Sequence, residues 1–162
     1  MLKRNLTIAA MILSVIFAVA YNRINFARAN IELAISYFAT QNVEPYTYTK
    51  SIDYSKPVKV FHIKKGDVFK QYQIPNGPQG NFYGLKGSLP TELGINDIGY
   101  DQKLKRAVKK ELRVYVATKD FDALSSFAAP IKDDWSTPED ETQTKGTKLQ
   151  LFTTCKPCFE KQ

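Results

Sequence analysis

Seventeen residues, Gln71 to Gly87, read QYQIPNGPQGNFYGLKG. Four glycines, two prolines, three glutamines and three aromatics share this stretch, a mixture that neither a helix nor a strand requires. Glycines such as Gly80 let a ligand approach the backbone closely. Tyr72, Phe82 and Tyr83 offer flat faces, while the amides of Gln71, Gln73 and Asn81 offer paired donors and acceptors. The stretch is therefore either a plain connector or a cradle for a flat, polar ligand. Two later segments carry matching chemistry. SSFAAPIKDDWS, from Ser125 to Ser136, gathers hydroxyls, carboxylates and Trp135 after a small-residue turn. In TKLQLF, strand alternation points Gln150 away from the apolar side on which Leu149 and Leu151 pack. An amide there either holds a ribose hydroxyl or a carboxamide, or is an ordinary surface glutamine.

Other chemistries find little footing. No GxxxxGK[ST], strand-bound GxGxxG, HExxH or GxSxG occurs. The single histidine, His62, lies within strand-like VKVFHIKK, which argues against a metal site of several histidines, a Ser-His-Asp triad or a paired-histidine ribonuclease. No metal is expected. Asp133-Asp134 and Glu139-Asp140-Glu141 read as solvated turn residues. Cys155 and Cys158, in TTCKPCFEKQ, lack a second pair to complete a zinc site and read as a local disulfide of an oxidising compartment.

These residues need a scaffold, and 162 residues with 43% hydrophobic content suffice for one domain with one core. The net charge of +7 suits an anionic ligand or surface, and equally serves solubility. Lys3 and Arg4 precede the uncharged run LTIAAMILSVIFAVA and the small-x-small triplet Ala18-Val19-Ala20. Residues 1–20 thus read as a cleaved signal peptide of a secreted or periplasmic protein, or alternatively as an inner-membrane anchor through residues 6–20. Either way the N-terminus contacts a membrane transiently, and 21–162 form the domain. Ile24, Ala27, Ile31, Ile35 and Phe38 predict an amphipathic helix. A tyrosine-rich loop follows, then strands over 58–63 and 68–72 joined as a hairpin at Lys65-Gly66-Asp67. A short helical or irregular piece ends at Gly94, DQKLKRAVKK forms one or two exposed helical turns, and Leu112, Val114 and Val116 mark a strand. FDALSSFAAP reads as a short helix stopped before Pro130, and TKLQLFTT as a final strand. The fold class is α+β: small twisted antiparallel sheets with a few short helices, preceded by the signal or anchor and the amphipathic helix.

The order QYQIPNGPQGNFYG, LPTELGI, RVYVATKDFDALSSFAAPIKDDWS and KGTKLQLF resembles the polymorphic toxin type 46 domain of bacterial secreted toxins, over roughly residues 58–153. The resemblance implies an effector of interbacterial competition that consumes NAD in the manner of enzymes related to ADP-ribosyltransferases. It places Gln150 where such enzymes carry a Glu or Gln in their third motif. NAD is then substrate, with no further cofactor, and an immunity protein is an expected partner. Breaking the nicotinamide–ribose bond develops positive charge on the ribose, so a site must stack nicotinamide, hold ribose and orient water or an acceptor. On this reading Gln150, Ser126 and Gln71 are the catalytic candidates. Tyr72, Gln73, Gly80, Asn81, Phe82, Tyr83, Ser125 and Trp135 bind the dinucleotide, and Arg113 or the lysines Lys64 and Lys65 meet its diphosphate. Two other readings stay open: a ribonuclease or other protein that binds nucleic acid through phosphates and base stacking, and a non-enzymatic periplasmic module that binds another anionic small molecule.

Overall fold

A computed structural model describes residues 2–133 and 143–162. Trp135 and the acidic run 139–141 lie outside the described residues. Helix α1, Leu2–Thr40, joins the apolar N-terminal run and the amphipathic stretch into one element. Residues 12–26 of it are exposed, including Leu13, Ile16 and Phe17. Among the described residues no helix is long and apolar enough to cross a membrane. The docked face runs through Asn30, Ala34, Tyr37 and Phe38, so Ile24 and Ile31 of the expected stripe are exposed. Asn30 clamps this end of the helix: its Nδ2 donates to the carbonyls of Tyr54 (3.0 Å) and Lys56 (2.9 Å), and its Oδ1 accepts from Val58 N (3.2 Å). A buried amide with these partners costs little and fixes the approach of the chain.

The tyrosine-rich segment contains a five-residue helix, α2, Pro45–Thr49, opened by Glu44, which accepts from Tyr46 N. The strands are β1 (Lys59–Ile63), β2 (Val68–Gln73), β3 (Phe82–Gly84), β4 (Ile98–Asp101), β5 (Arg106–Lys109), β6 (Glu111–Ala117), β7 (Phe121–Phe127), β8 (Leu149–Phe152) and β9 (Phe159–Lys161). Seven of them form an antiparallel sheet in the order β1-β7-β8-β3-β2-β6-β9, and β4-β5 form a separate ribbon. The α+β class is as the sequence implies.

Three local expectations change. β1 and β2 exist but do not form a hairpin, because β1 pairs with β7 and β2 with β3 and β6. The link 64–67 turns a corner instead, with Gly66 at φ 94° and its N–H on Ala117 O (2.8 Å). FDALSSF is strand β7, because Ala123 and Leu124 must face the two separate cores on either side of the sheet. The lysine-rich segment is the β4-β5 ribbon, where the backbone is paired while most side chains stay in water. The short helical piece does form, as a 3-10 turn at Pro90–Leu93 closed by Gly94 at φ 74°.

Alternation along the strands divides the core. Leu124 and Phe152 join Ala34, Tyr37, Phe38, Ile52 and Val58 beneath α1. Ala123, Leu151 and Tyr83 join Ile63, Phe69, Tyr115 and Ala117 on the other face. Cys155 and Cys158 form the expected disulfide, which leads into β9 and its pairing with β6.

Candidate active site

β2 and β3 pair at one Cα position, Lys70 with Gly84. Gly84 leaves room there for the end of the Leu93 side chain, whose Cδ1 would lie 2.4 Å from an added Cβ. Past that point the strands diverge, and the glycine-rich loop opens a cleft of about 430 Å³. Its walls come from α2 and the residues after it, the end of β2, the loop 77–84, the turn at 93–95 and the residues Lys110, Ile131, Asp133 and Gln150.

Gln71 holds the loop wall. Its Nε2 donates to Gly80 O (3.0 Å) and Phe82 O (2.8 Å), while its Oε1 accepts from Gly80 N (3.2 Å) and from Gln73 Nε2. Two donors and two acceptor sites are thereby filled, so this amide shapes the cradle. Gln73 is fixed in turn: its Oε1 accepts from Arg113 Nη1 (2.5 Å) and Tyr115 Oη (3.3 Å). Arg113 also donates to the carbonyls of Gly77 (3.0 Å) and Ile74 (3.3 Å), so its charge braces the turn and does not line the cleft. Asn81 donates to Tyr48 Oη (2.8 Å), and Gln79 to Tyr83 Oη (2.8 Å). The tail completes the wall: Thr153 N donates to Asn81 O (3.0 Å), and Lys156 Nζ donates to Gly80 O. Partial burial lowers the Lys156 ammonium to about 8.

On the α1 side of the sheet, Gln150 stands opposite both Gly84 and Ser126 in register. It is 2% exposed, which removes the surface-glutamine alternative, and its Nε2 donates to Ser51 O (2.7 Å) and reaches Ser126 Oγ at 3.5 Å. Ser126 thus supports Gln150 from beneath the cleft. Ser125, one residue earlier, faces the opposite core, so the two serines do not share a ribose. Both are buried and neither lines the cleft.

The aromatic residues divide likewise. Phe82 and Tyr48 meet edge-on at 5.9 Å and form one face of the cleft. The Tyr83 ring is stacked on Phe159 at 4.4 Å and belongs to the core, and burial raises its hydroxyl pKa. Tyr72 lines the cleft and donates to Ser88 O (3.1 Å); burial raises its hydroxyl as well. Lys64 and Lys65 lie at the β1–β2 corner, away from it.

The far wall holds a feature that the sequence did not announce. Lys110 Nζ and Asp133 Oδ2 form an ion pair with side chains 3% and 8% exposed, and Asn96 N donates to the same oxygen (2.9 Å). The reading of Asp133 as a solvated turn residue is corrected by this burial, and so is that of Lys110 as part of an exposed helix. A DD pair and a lysine-rich run carry no local sign of burial; the small-residue turn before Pro130 was the one indirect signal that the chain turns back there. Tyr48 and Ser51 were also missed, because a polar, proline-bracketed tract reads as loop. Among the described lining residues Asp133 is the one carboxylate, facing amides, hydroxyls and the lysines Lys50 and Lys70. Such a set can hold a polar, phosphate-bearing ligand.

Comparison with known proteins adds three findings. A family model described as bacterial toxin 46 matches residues 18–159. The curated NAD(P)(+) glycohydrolase toxin Tse6 of Pseudomonas aeruginosa is 36% identical over 136 residues, covering 82% of this chain and 32% of that protein. The chain thus spans about a third of the length of this relative. The solved structure of Tse6 in complex with Tsi6 superposes with a TM-score of 0.73 at 33% identity, over 85% of this chain and 96% of that one.

Proposed function

The chain belongs to the bacterial toxin 46 family, and from that premise we propose that it is a toxin that hydrolyses the bond between nicotinamide and ribose in NAD. The observation that carries this reading is the single cleft in which Gln150, the Phe82–Tyr48 face and the Lys110–Asp133 pair meet. Its volume of about 430 Å³ falls in the roughly 300–1,000 Å³ range of small-ligand sites. The likeness to a glycohydrolase toxin over 82% of this chain supports the same chemistry.

In the reaction the electron pair of the C–N bond leaves with nicotinamide, which departs neutral. The ribose gains oxocarbenium character, and water adds to it and releases a proton, giving ADP-ribose. Asp133 orients the attacking water, and the pairing with Lys110 keeps that carboxylate in one orientation. Gln150 holds the ribose or the carboxamide, and Tyr48 with Phe82 covers the ring. Lys50 and Lys70 provide the positive charge that a diphosphate needs. Gln71 and Gln73 hold the loop at the distance this requires. The exposed apolar stretch of α1 supports a role for residues 6–20 in export or anchoring. By extension from Tse6, solved with Tsi6, a dedicated protein that neutralises this chain belongs to the same proposal.

The test is nicotinamide release from NAD by the purified full chain. Release that disappears in Gln150→Ala with the melting transition retained is the expected result. Tight NAD binding without release points instead to a binding module, and cleavage of RNA with NAD untouched overturns the proposal.

A further inference from the structure

The three-residue spacing of Cys155 and Cys158 places Lys156 inside a small closed ring. Pro157 restricts the same ring further. Cys158 is buried at 1% exposure and its carbonyl accepts from Thr118 N (2.9 Å), so one end of the ring is anchored to the sheet. The other end, Cys155, is half-buried, and its N–H donates to Thr153 Oγ1 (3.2 Å). From this fixed ring Lys156 reaches Gly80 O and lies 5.8 Å over the Tyr83 ring. Gly80 O is the atom that Gln71 also holds, and Gly80 lines the cleft. The loop wall is therefore gripped from β2 by Gln71 and from the tail by Lys156.

We infer that Lys156 is a positioning residue for the NAD cleft and that the Cys155–Cys158 disulfide holds it in place, making the cleft's affinity for NAD sensitive to thiols. The inference rests on the NAD-cleaving reading above. Reduction by a dithiol such as dithiothreitol breaks the S–S bond, leaves two cysteine thiols that take up two protons and two electrons, and closes the reagent to its own disulfide. The four-residue segment then regains backbone freedom, and the Lys156 contact with Gly80 is lost for most of the time. Gly80 O then keeps only its bond from Gln71, while the loop stays attached at Gly77, Gln79 and Asn81.

The experiment compares the oxidised full chain, the same chain after dithiothreitol, Lys156→Met, Lys156→Arg and the double variant Cys155→Ser/Cys158→Ser. KM and kcat for NAD are measured alongside amide hydrogen exchange of residues 75–85. A charged contact of this kind corresponds to a rise in KM of about tenfold with kcat little changed. Reduction, Lys156→Met and the double serine variant should each produce that rise and faster exchange at the loop. Lys156→Arg should restore most of the KM, and reduction should add nothing to Lys156→Met. Unchanged KM and exchange on reduction overturn the inference, as do independent, multiplying effects of reduction and Lys156→Met. If the oxidised chain cleaves no NAD, the functional proposal fails separately, while the exchange measurement still decides whether the disulfide and Lys156 hold the loop.

Discussion

Asp133 shows how much a single contact can conceal from sequence. Two adjacent aspartates beside a lysine are an ordinary turn composition, yet Asp133 is buried against Lys110 at the back of the cleft. Only tertiary closure brings residues 110 and 133 together, and no local periodicity encodes it. Removing one charge from such a pair strands the other. Asp133→Asn should therefore lower stability by about 3–5 kcal/mol in urea melts, and should also abolish nicotinamide release. Replacing both partners with Lys110→Met and Asp133→Leu should recover most of the stability but none of the activity, which separates scaffold from chemistry. His62 is a different case, exposed at the β1–β7 ladder with Asp122 Oδ1 at 2.8 Å and Asp120 Oδ2 at 3.7 Å. The hydrogen bond to Asp122, aided by both carboxylates, raises its pKa. A raised folded value means that its stabilisation is complete below about pH 6.5 and fades as pH rises through the folded value. Asp120, lowered first by the N–H of Lys65, contributes above its ordinary 3.8 and loses that share as pH falls through its folded value. The melting difference between wild type and His62→Gln should therefore be greatest in mild acid, near pH 5 to 6, and shrink toward about pH 8.

At the scale of elements, strands whose residue types alternate were legible even where, as in β8, both faces are buried, and strands without such alternation were not. β6 and β8 showed alternation. β7 did not, because Ala123, Leu124, Ser125 and Ser126 are all buried, and small residues in a row resemble a short helix. The β4-β5 ribbon is wet on most of its surface, so its lysines gave no period. The cradle was legible by composition, since few other uses exist for so many glycines beside aromatics. What composition did not show is that backbone crossings hold the cradle's base in place. Gly146, at φ 63°, would put a Cβ within 2.5 Å of Ala129 C, and the N–H groups of Lys145 and Gly146 both donate to Thr91 O (3.0 Å). Gly146→Ala combines a disfavoured backbone with an unyielding neighbour and should cost about 3 kcal/mol, read as a lower urea midpoint. Gly84→Ala meets only the flexible end of Leu93. Its cost should be nearer 1 kcal/mol, with a larger effect on KM because the wall of the cleft moves.

Across the whole molecule, α1 has two parts with different duties. Its last three turns supply Phe38, which lies 4.8 Å from Phe152 and 5.8 Å from Tyr48 and so joins the helix to both the sheet and the aromatic wall. Phe38→Ala should cost about 3–5 kcal/mol and impair NAD cleavage together with stability. Residues 12–26 are exposed. Replacing Leu13, Ile16 and Phe17 together with Ser should shift the melting temperature by less than about 2 °C while reducing self-association, since exposed apolar side chains of that size adhere to one another. The sheet order has a further consequence for how the protein is made. β8 lies between β3 and β7, yet it is synthesised after both. Until residues 149–152 leave the ribosome, the seven-stranded sheet can exist only as two separate ladders, β1 with β7 and β3 with β2 and β6, and Gln150 is absent from between them. On the proposed function, a nascent chain that stops short of residue 149 therefore holds no complete cleft, and activity awaits the insertion of this central strand.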